Sequence, residues 1–525
     1  MNMKQIEASQ LPLVEALGKF AAGELAPDQM KPFGAPFGIY QQRDGLFMNR
    51  VRLTGGEVSL ESLRFLAGLL ESSGAAFGRL TTRQDLQLHG VHPEAVPEVI
   101  RQCSAHGLPF RGGGGDTFRN VTVTPECGIA PDGDFDLLPF ARALTDQVFD
   151  WELAFHLPRK IKIGFSTRAD RGLALRQDLG FIAASGSAEE AGFEVYGGGG
   201  FGRESALGVK LFDFLPAAEI HRAARAMIEL FSEHGDREHR HQARIRFIVK
   251  RLGEEEFRKL YFRYFDKLKD TAFPPLPEAG DAPECRARSV RRAPASSVSG
   301  DSREFEAWKQ TAVAPTRFGE ELVSVTLFVP SGNLEPGEFR QTVEVIEQLG
   351  VEAVRFTGGQ NILLPVLHVS MLPELYRMLR QLPFDLTFRS FAGQIDCCVG
   401  ATVCKIGVLD TPRWAVRAGE ALDGWFAAHP EERPEKAQEL LKLIRLSGCP
   451  NSCSSHEAAA FGFQGCKKTI DGKLTECFTL WRNHGYPAAA IGEDSGEVIP
   501  AEQMPRRVVE LLSALRKRET PAGGQ

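Results

Sequence analysis

Arg79-Leu-Thr-Thr-Arg-Gln-Asp-Leu-Gln-Leu-His89 has an echo far along the chain, in Arg355-Phe-Thr-Gly-Gly-Gln-Asn-Ile-Leu-Leu364. Both segments read as strands, and both carry R-[LF]-T-x-x-Q. Their surroundings repeat as well. Met48–Gly56 (MNRVRLTGG) and the helical stretch SLESLRFLAGLLESSG precede the first copy, and PEAVPEVIRQCSAHGL follows it. Ser324–Gly332 (SVTLFVPSG) and EFRQTVEVIEQLG precede the second, and MLPELYRMLRQL follows. Each half thus reads β-α-β-α, and an internal duplication is the economical account. Helix and strand patterns mix throughout, which makes the class α+β.

Between the halves, residues 273–303 (FPPLPEAGDAPECRARSVRRAPASSVSGDSR) hold five prolines and no apolar periodicity, and read as a linker. Finer cuts fall at 1–115, 116–272, 304–392 and 393–525.

Side chains alternate faces along a strand. From Arg79 onward one face carries Arg79, Thr81, Arg83, Asp85, Gln87 and His89; the other is mostly apolar. Arg50 and Arg52 share a face in the same way, as do Lys160 and Lys162, and Arg119 follows the glycine run 112–115. One such pair reads most simply as a solvated edge. Several in one half, beside glycines that let a ligand approach the backbone, point to an anionic ligand.

Four cysteines fall in two close pairs, Cys398-Val-Gly-Ala-Thr-Val-Cys404 and Cys449-Pro-Asn-Ser-Cys453. Zinc sites usually show C-x2-C or C-x4-C spacing. Four thiolates in this arrangement suit an iron–sulfur cubane better. Buried structural thiols and zinc are the alternatives, and Cys397 competes with Cys398 for the first ligand position. Cys103, Cys127, Cys285, Cys466 and Cys477 read as structural, and His456 as a packed or exposed side chain.

With 525 residues the chain can bury several cores, and ten cysteines are too few for a disulfide scaffold. A net charge of −6 argues against a general nucleic-acid binder. No apolar stretch approaches a membrane span, and the N-terminus lacks a signal-peptide pattern. A cytoplasmic enzyme is expected.

Seven motifs in order resemble one family, the sirohaem- and [4Fe-4S]-containing sulfite and nitrite reductases. They are R-x-R-x-x-G-G at 50–56, R-L-T-T-R-Q-x-x-Q-x-H-G at 79–90, R-N-V at 119–121, L-P-R-K-x-K at 157–162, R-x-T-x-x-Q-N at 355–361, C-x5-C at 398–404 and G-C-P-N-S-C at 448–453. The resemblance implies two ferredoxin-like half-domains (1–115 and 304–392) and two domains that bind sirohaem and cluster (116–272 and 393–525). It implies that Cys398, Cys404, Cys449 and Cys453 hold the cluster, and that Cys453 also bridges to the sirohaem iron. Arg50, Arg119, Lys160 and Lys162 match the substrate-binding cations. Arg79, Arg83, Gln87, Arg159 and Arg244, with Gln360 and Asn361 of the second repeat, match positions around the macrocycle and its eight carboxylates.

The implied reaction is six-electron reduction of sulfite to sulfide, with nitrite to ammonia as the alternative. Lys162 favours sulfite, since plant-type nitrite reductases tend to have asparagine there; the C-V-G-A-T-V-C segment is closer to the nitrite type. No cysteine lies at 112–118, so no crosslink to Tyr40 is expected. A cobalamin-pathway oxygenase of the same fold, or a non-catalytic electron-transfer subunit, fits the length and the complete basic set less well. No flavin or nicotinamide fingerprint is convincing, so electrons are expected from a separate protein, ferredoxin first. The basic stretch Met504–Arg518 reads as a solvated terminal helix, and the duplicated halves favour a monomer.

Overall fold

The computed structural model describes residues 3–131, 134–185, 191–276, 290–293, 303–434, 436–487 and 489–519. Most of the expected linker, and Cys285 with it, lies outside these residues.

Two five-stranded sheets contain the repeated motif. The first runs in the order Ile39–Gln41, Phe47–Val51, Leu86–Val91, Phe77–Leu80, Asn333–Leu334. The second runs Val313–Pro315, Leu322–Leu327, Ile362–His368, Ala353–Phe356, Glu57–Ser59. Each sheet therefore takes its last strand from the other half of the chain. Arg79 lies opposite Gln87 on one side and Asn333 on the other; Arg355 lies opposite Leu363 and Glu57. The helices Leu60–Ser72 and Pro336–Gln348 follow the exchanged strands and pack on each other. Ser59 caps the first, accepting from the Ser62 N–H at 3.1 Å, and Leu63, Leu66, Ala67 and Leu70 form its buried stripe. Pro336 occupies the first turn of the second, where its missing N–H costs nothing.

The repeated segments are not continuous strands, and here the sequence reading is corrected. Thr81–Asp85 and Thr357–Asn361 are tight turns joining two strands apiece. The Thr81 hydroxyl accepts from the Arg83 and Asp85 N–H groups at 3.2 and 3.0 Å, and the Thr357 hydroxyl accepts from Asn361 N–H at 3.1 Å. Gln84 and Gln360 take left-handed backbone angles, φ 63° and 61°. Each is anchored by its side chain across the halves. Gln84 donates to the Phe356 and Val123 carbonyls and accepts from Val123 N–H; Gln360 donates to the Leu80 carbonyl at 2.8 Å. A threonine that turns the chain and a buried glutamine that locks the turn explain the shared R-x-T-x-x-Q pattern.

The other two sheets also repeat one topology. Thr122–Val123, Ile163–Ser166 and Leu179–Ser185 are parallel neighbours, continued by antiparallel Ala191–Gly197 and Val209–Pro216. Asp396–Cys397, Ile444–Ser447 and Phe461–Ile470 are parallel, continued by antiparallel Lys473–Arg482 and Glu493–Pro500. The first of this pair has its own core, built on Phe165, Phe181, Phe193 and the helices Ile220–His234 and Glu254–Lys267. The second shares one continuous core with both half-domains. The C-terminal helix buries Met504, Val508, Leu511 and Leu512, packs on the helix Thr411–Ala428, and ties Arg507 to Glu497 and Glu510. Among the described residues no helix is long and apolar enough to cross a membrane.

Candidate functional site

The cations gather where the first half-domain meets the sheet that starts at Thr122. Arg50 projects from the strand Phe47–Val51, 4.0 Å from Asp85 and 3.3 Å from the Gly113 carbonyl. Arg83 sits at the tip of the 81–85 turn, donating to Gln177 Oε1 at 3.0 Å and to the Asn120 carbonyl. Arg119 donates to the Gly115 carbonyl at 2.8 Å and lies beside Tyr40, Arg50 and Arg159. Arg159 pairs with Asp116 at 3.0 Å. Lys160 and Lys162 stand in the irregular segment before the strand Ile163–Ser166. Lys160 has Arg244, Arg119, Arg159 and the Cys453 thiol as neighbours; Lys162 has Arg83, Lys160, Arg244 and Asp178.

Burial dominates the electrostatics. It brings the Arg52, Arg83 and Arg119 guanidiniums down to about 10. It lowers Lys160 to about 7, with Arg244 and Arg119 adding to the effect, and takes Lys162 well below its ordinary value. Crowding by like charge ranks second to desolvation. Asp178 answers part of this charge. It is fully buried, receives Arg244 on both oxygens at 3.0 Å, and accepts the Lys162 main-chain N–H at 2.8 Å. Gly200 lets the Arg244 guanidinium lie against the backbone, since a Cβ there would meet its Nη2 at 2.5 Å.

The thiols approach from the other half. Cys398 Sγ accepts from Gly448 N–H at 3.2 Å and lies 3.4 Å from the Thr411 hydroxyl. The Cys449 thiol has Cys398 and Cys404 as neighbours. The Cys453 thiol, pushed up to about 12 by burial, has Cys398, Cys449, Lys160 and Lys162 around it. Left-handed Ser452 and Ser455 tighten the turn that presents Cys453. Thr82, at the tip of the first-half turn, donates to the Cys453 carbonyl at 3.0 Å and so joins the two groups. Cys397 instead meets Arg79, which donates to its carbonyl at 2.7 Å. His456 is buried edge-on against Trp481.

Some predicted residues face protein groups. Arg79 divides its donors between Asn333 and the Cys397 carbonyl. Gln87 is 3.2 Å from His89, and Gln360 and Asn361 bond the Leu80 carbonyl and the Val329 N–H. Asp178, Thr82 and Arg246 were missed. Arg246 stands two residues after Arg244, a spacing that could have marked it; Asp178 has no sequence signal.

This donor set fits an anionic macrocycle and a four-thiolate cluster. Arg83 Nε, Arg119 Nη1 and Arg246 Nε and Nη1 are buried without a hydrogen-bond partner. Neither Lys160 nor Lys162 makes an ion pair among the described residues. Buried cations in excess of carboxylates call for an anion. Among the described residues no three His, Cys, Asp or Glu side chains close around a single ion. A cubane holds each thiolate on a different iron and needs a wider set.

Comparison with known proteins agrees. Residues 114–269 match the nitrite and sulphite reductase 4Fe-4S domain. Residues 40–106 and 315–382 match the nitrite/sulfite reductase ferredoxin-like half domain, once in each repeat. The four cysteines lie beyond the first of these matches, which covers Arg119, Arg159, Lys160, Lys162 and Arg244, while Arg50 and Arg83 fall in the second. The chain is 27% identical to a ferredoxin–nitrite reductase of Synechococcus elongatus, over 89% of this chain and 86% of that one. It is 25% identical to sulfite reductase [ferredoxin] 2 of Mycolicibacterium paratuberculosis, over 86% and 74%. The fold superposes on the Mycobacterium tuberculosis NirA protein with a TM-score of 0.77 at 21% identity, covering 100% of this chain and 95% of that one. The family models together span more than half of the sequence, and the chain belongs to the nitrite and sulphite reductases, oxidoreductases that carry sirohaem and a [4Fe-4S] cluster.

Proposed function

We propose that the protein reduces sulfite to sulfide, taking up six electrons and seven protons and releasing hydrogen sulfide ion and three waters. The observation that carries this reading is the meeting of half-buried Lys160 and Lys162 with the solvent-accessible Cys453 thiol in one cleft. Sirohaem would supply the iron that takes the substrate, and the cluster the electrons. Cys398, Cys404, Cys449 and Cys453 would hold the cluster, with the Cys453 thiolate shared between the two groups. Arg83, Arg159 and Arg244 would meet the macrocycle's carboxylates. Arg79, Gln87, Gln360 and Asn361 would support that pocket through the turns and strands they fasten.

Arg50, Arg119, Lys160 and Lys162 would bind the substrate oxygens. Sulfite carries two charges, and a fourth cation in the cleft benefits it more than nitrite. A lysine brought to about 7 by burial holds a proton it can release near neutral pH. Lys160 is therefore the proposed proton donor, and Asp178 fixes the backbone of Lys162 behind it. Nitrite reduction to ammonia is the second reading, favoured by the C-V-G-A-T-V-C segment and by relatives named ferredoxin–nitrite reductase.

Those names also support ferredoxin as the electron donor. A monomer is supported by the exchanged strands, which complete both sheets inside one chain. A reducing, cytoplasmic setting is supported by cysteines that are free throughout the described residues. The test is steady-state reduction of sulfite and of nitrite by the purified protein with reduced methyl viologen. Sulfide formed at the higher kcat/KM is expected. Preference for nitrite would show that Lys162 does not set the substrate.

A further inference from the structure

Behind the loop from Cys449 to Cys453 lies a carboxyl group that the reaction above does not use. Glu457 is 2% exposed, and a glutamate is seldom buried so fully unless it is paired. Among the described residues no lysine or arginine pairs with it; His456, itself buried, stands 3.6 Å away. Two serine hydroxyls take its oxygens instead. Ser452, left-handed at φ 50° between Cys449 and Cys453, donates to Oε2. Ser205, from the first half of the chain, donates to Oε1 at 3.0 Å. The Glu457 main chain is fixed in turn, its carbonyl accepting from Gly492 N–H at 2.8 Å. Both serines stand in loops of the candidate site. Ser452 directly precedes Cys453. Ser205 belongs to a loop closed by two main-chain bonds between Gly200 and Ala206, at 2.8 and 3.0 Å. That loop lies against two buried arginines: a Cβ at Gly200 would meet Arg244 Nη2 at 2.5 Å, and one at Gly202 would meet Arg246 Nη2 at 3.2 Å. One carboxyl group thus clamps the turn that presents Cys453 to the loop that seats Arg244 and Arg246.

We infer that Glu457 is a positioning residue for the reaction, holding the Cys453 thiol in register with the cations of the first half through Ser452 and Ser205. A group behind a metal ligand fixes the direction in which that ligand points, and its loss typically costs about 10–100-fold in affinity or activity. A turn strained into the left-handed region keeps its shape only while its surroundings hold it. Here the Ser452 hydroxyl is what Glu457 grips, one residue from the thiol. The inference rests on the shared Cys453 thiolate proposed above and adds what keeps that thiolate in place.

Glu457→Ala, Glu457→Gln and Ser205→Ala test it. Each holoenzyme is assayed with reduced methyl viologen and with whichever of sulfite or nitrite the wild type reduces faster. The coupling between haem and cluster is read on the same samples by electron paramagnetic resonance. Glu457→Ala should lower kcat by about 10–100-fold, leave KM within about twofold and weaken the coupling. Ser205→Ala cuts only the link to the first half and should act in the same direction, less strongly. Glu457→Gln offers an oxygen to one hydroxyl and an amide N–H to the other, which can rotate to accept it, so most of the rate and coupling should return. Wild-type kcat and coupling in both Ala variants, with only the melting temperature lowered, would overturn the inference. Should Glu457→Ala fail to fold, Ser205→Ala decides by the same two readings. A wild-type enzyme without coupling would instead remove the shared thiolate on which the inference rests.

Discussion

The two half-domains share a backbone and differ in charge. Register aligns them: Arg50 faces Gln87 across the first sheet, and Thr326 faces Leu363 across the second. Matched along the repeat in this way, Arg50, Arg52, Arg83, Asp85 and Gln87 of the first copy become Thr326, Phe328, Gly359, Asn361 and Leu363 in the second. What stays the same is what folds the turn and joins the halves: Arg79 with Arg355, Thr81 with Thr357, Gln84 with Gln360. Arg79 bonds Asn333 and the Cys397 carbonyl; Arg355 lies 3.5 Å from Glu57 and donates to the Cys127 carbonyl at 2.8 Å. Of the residues kept in both copies, the arginines and glutamines act across the interface and the threonines fold the turns; of those that differ, Arg50 and Arg83 stand among the site cations. A duplicated fold separates scaffold from chemistry by showing which positions one copy can do without.

The sharpest break in the comparison comes from the half that supplies thiols. Cys453→Ser should abolish activity together with the coupling between haem and cluster, read by the visible and electron paramagnetic resonance spectra. A variant that kept both would rule out the shared thiolate.

Next are the cations of the first half. Lys160→Met or Arg119→Met should lower kcat/KM by about 10²–10³. A change below about tenfold would remove that residue from the substrate site.

A reciprocal pair then tests the asymmetry itself. Arg83→Gly gives the first turn the second's composition, and should reduce sirohaem content and activity by about tenfold. Gly359→Arg gives the second turn the first's. A Cβ at Gly359 meets nothing closer than 3.7 Å, so this variant should fold and keep its rate within about twofold. Equal effects would show that the turns are interchangeable.

Smaller effects are expected on stability. Gln84→Ala removes three side-chain hydrogen bonds, one of them to the other half, and Gln360→Ala one, so thermal or denaturant unfolding should show a loss of about 1–3 kcal/mol for the first and a smaller one for the second.

The least effect concerns pH. His89, for which the second copy has Pro365, is held neutral, its pKa brought down to about 3 mainly by burial. The unfolded chain takes up this proton near 6.5. The contribution of His89 is thus present above that pH and lost as pH falls from there toward 3. His89→Gln should flatten melts over this range, by about 1 kcal/mol at one pH unit below 6.5.

The duplication, the class and the family were legible because they rest on repeated short motifs. The break within Arg79–His89 was not. Alternating Leu and polar residues fit a strand, and only the Thr81 hydroxyl and the left-handed Gln84 turn it into a hairpin. The cysteine pairs were readable from spacing, but the choice between Cys397 and Cys398 depended on which way the chain leaves the strand Asp396–Cys397. Cys397 turns toward Arg79, and Cys398 toward Gly448. Asp178 was invisible because a lone aspartate carries no pattern. Its role comes from burial beside Arg244 and Lys162, which the chain brings together from distant segments.

The exchanged strands bear on how such a chain could arise. A molecule with one copy of the repeat has no partner for the strand after its glycine turn, and would close its sheet only by lending that strand to a twin. In such a pair every substitution strikes both subunits at once, so an arginine gained at the tip of one turn appears at the other. Joining the copies end to end frees them. Arg83 can then persist on one side while Gly359 occupies the other, and a single chain can give one copy to anions and the other to neutral packing.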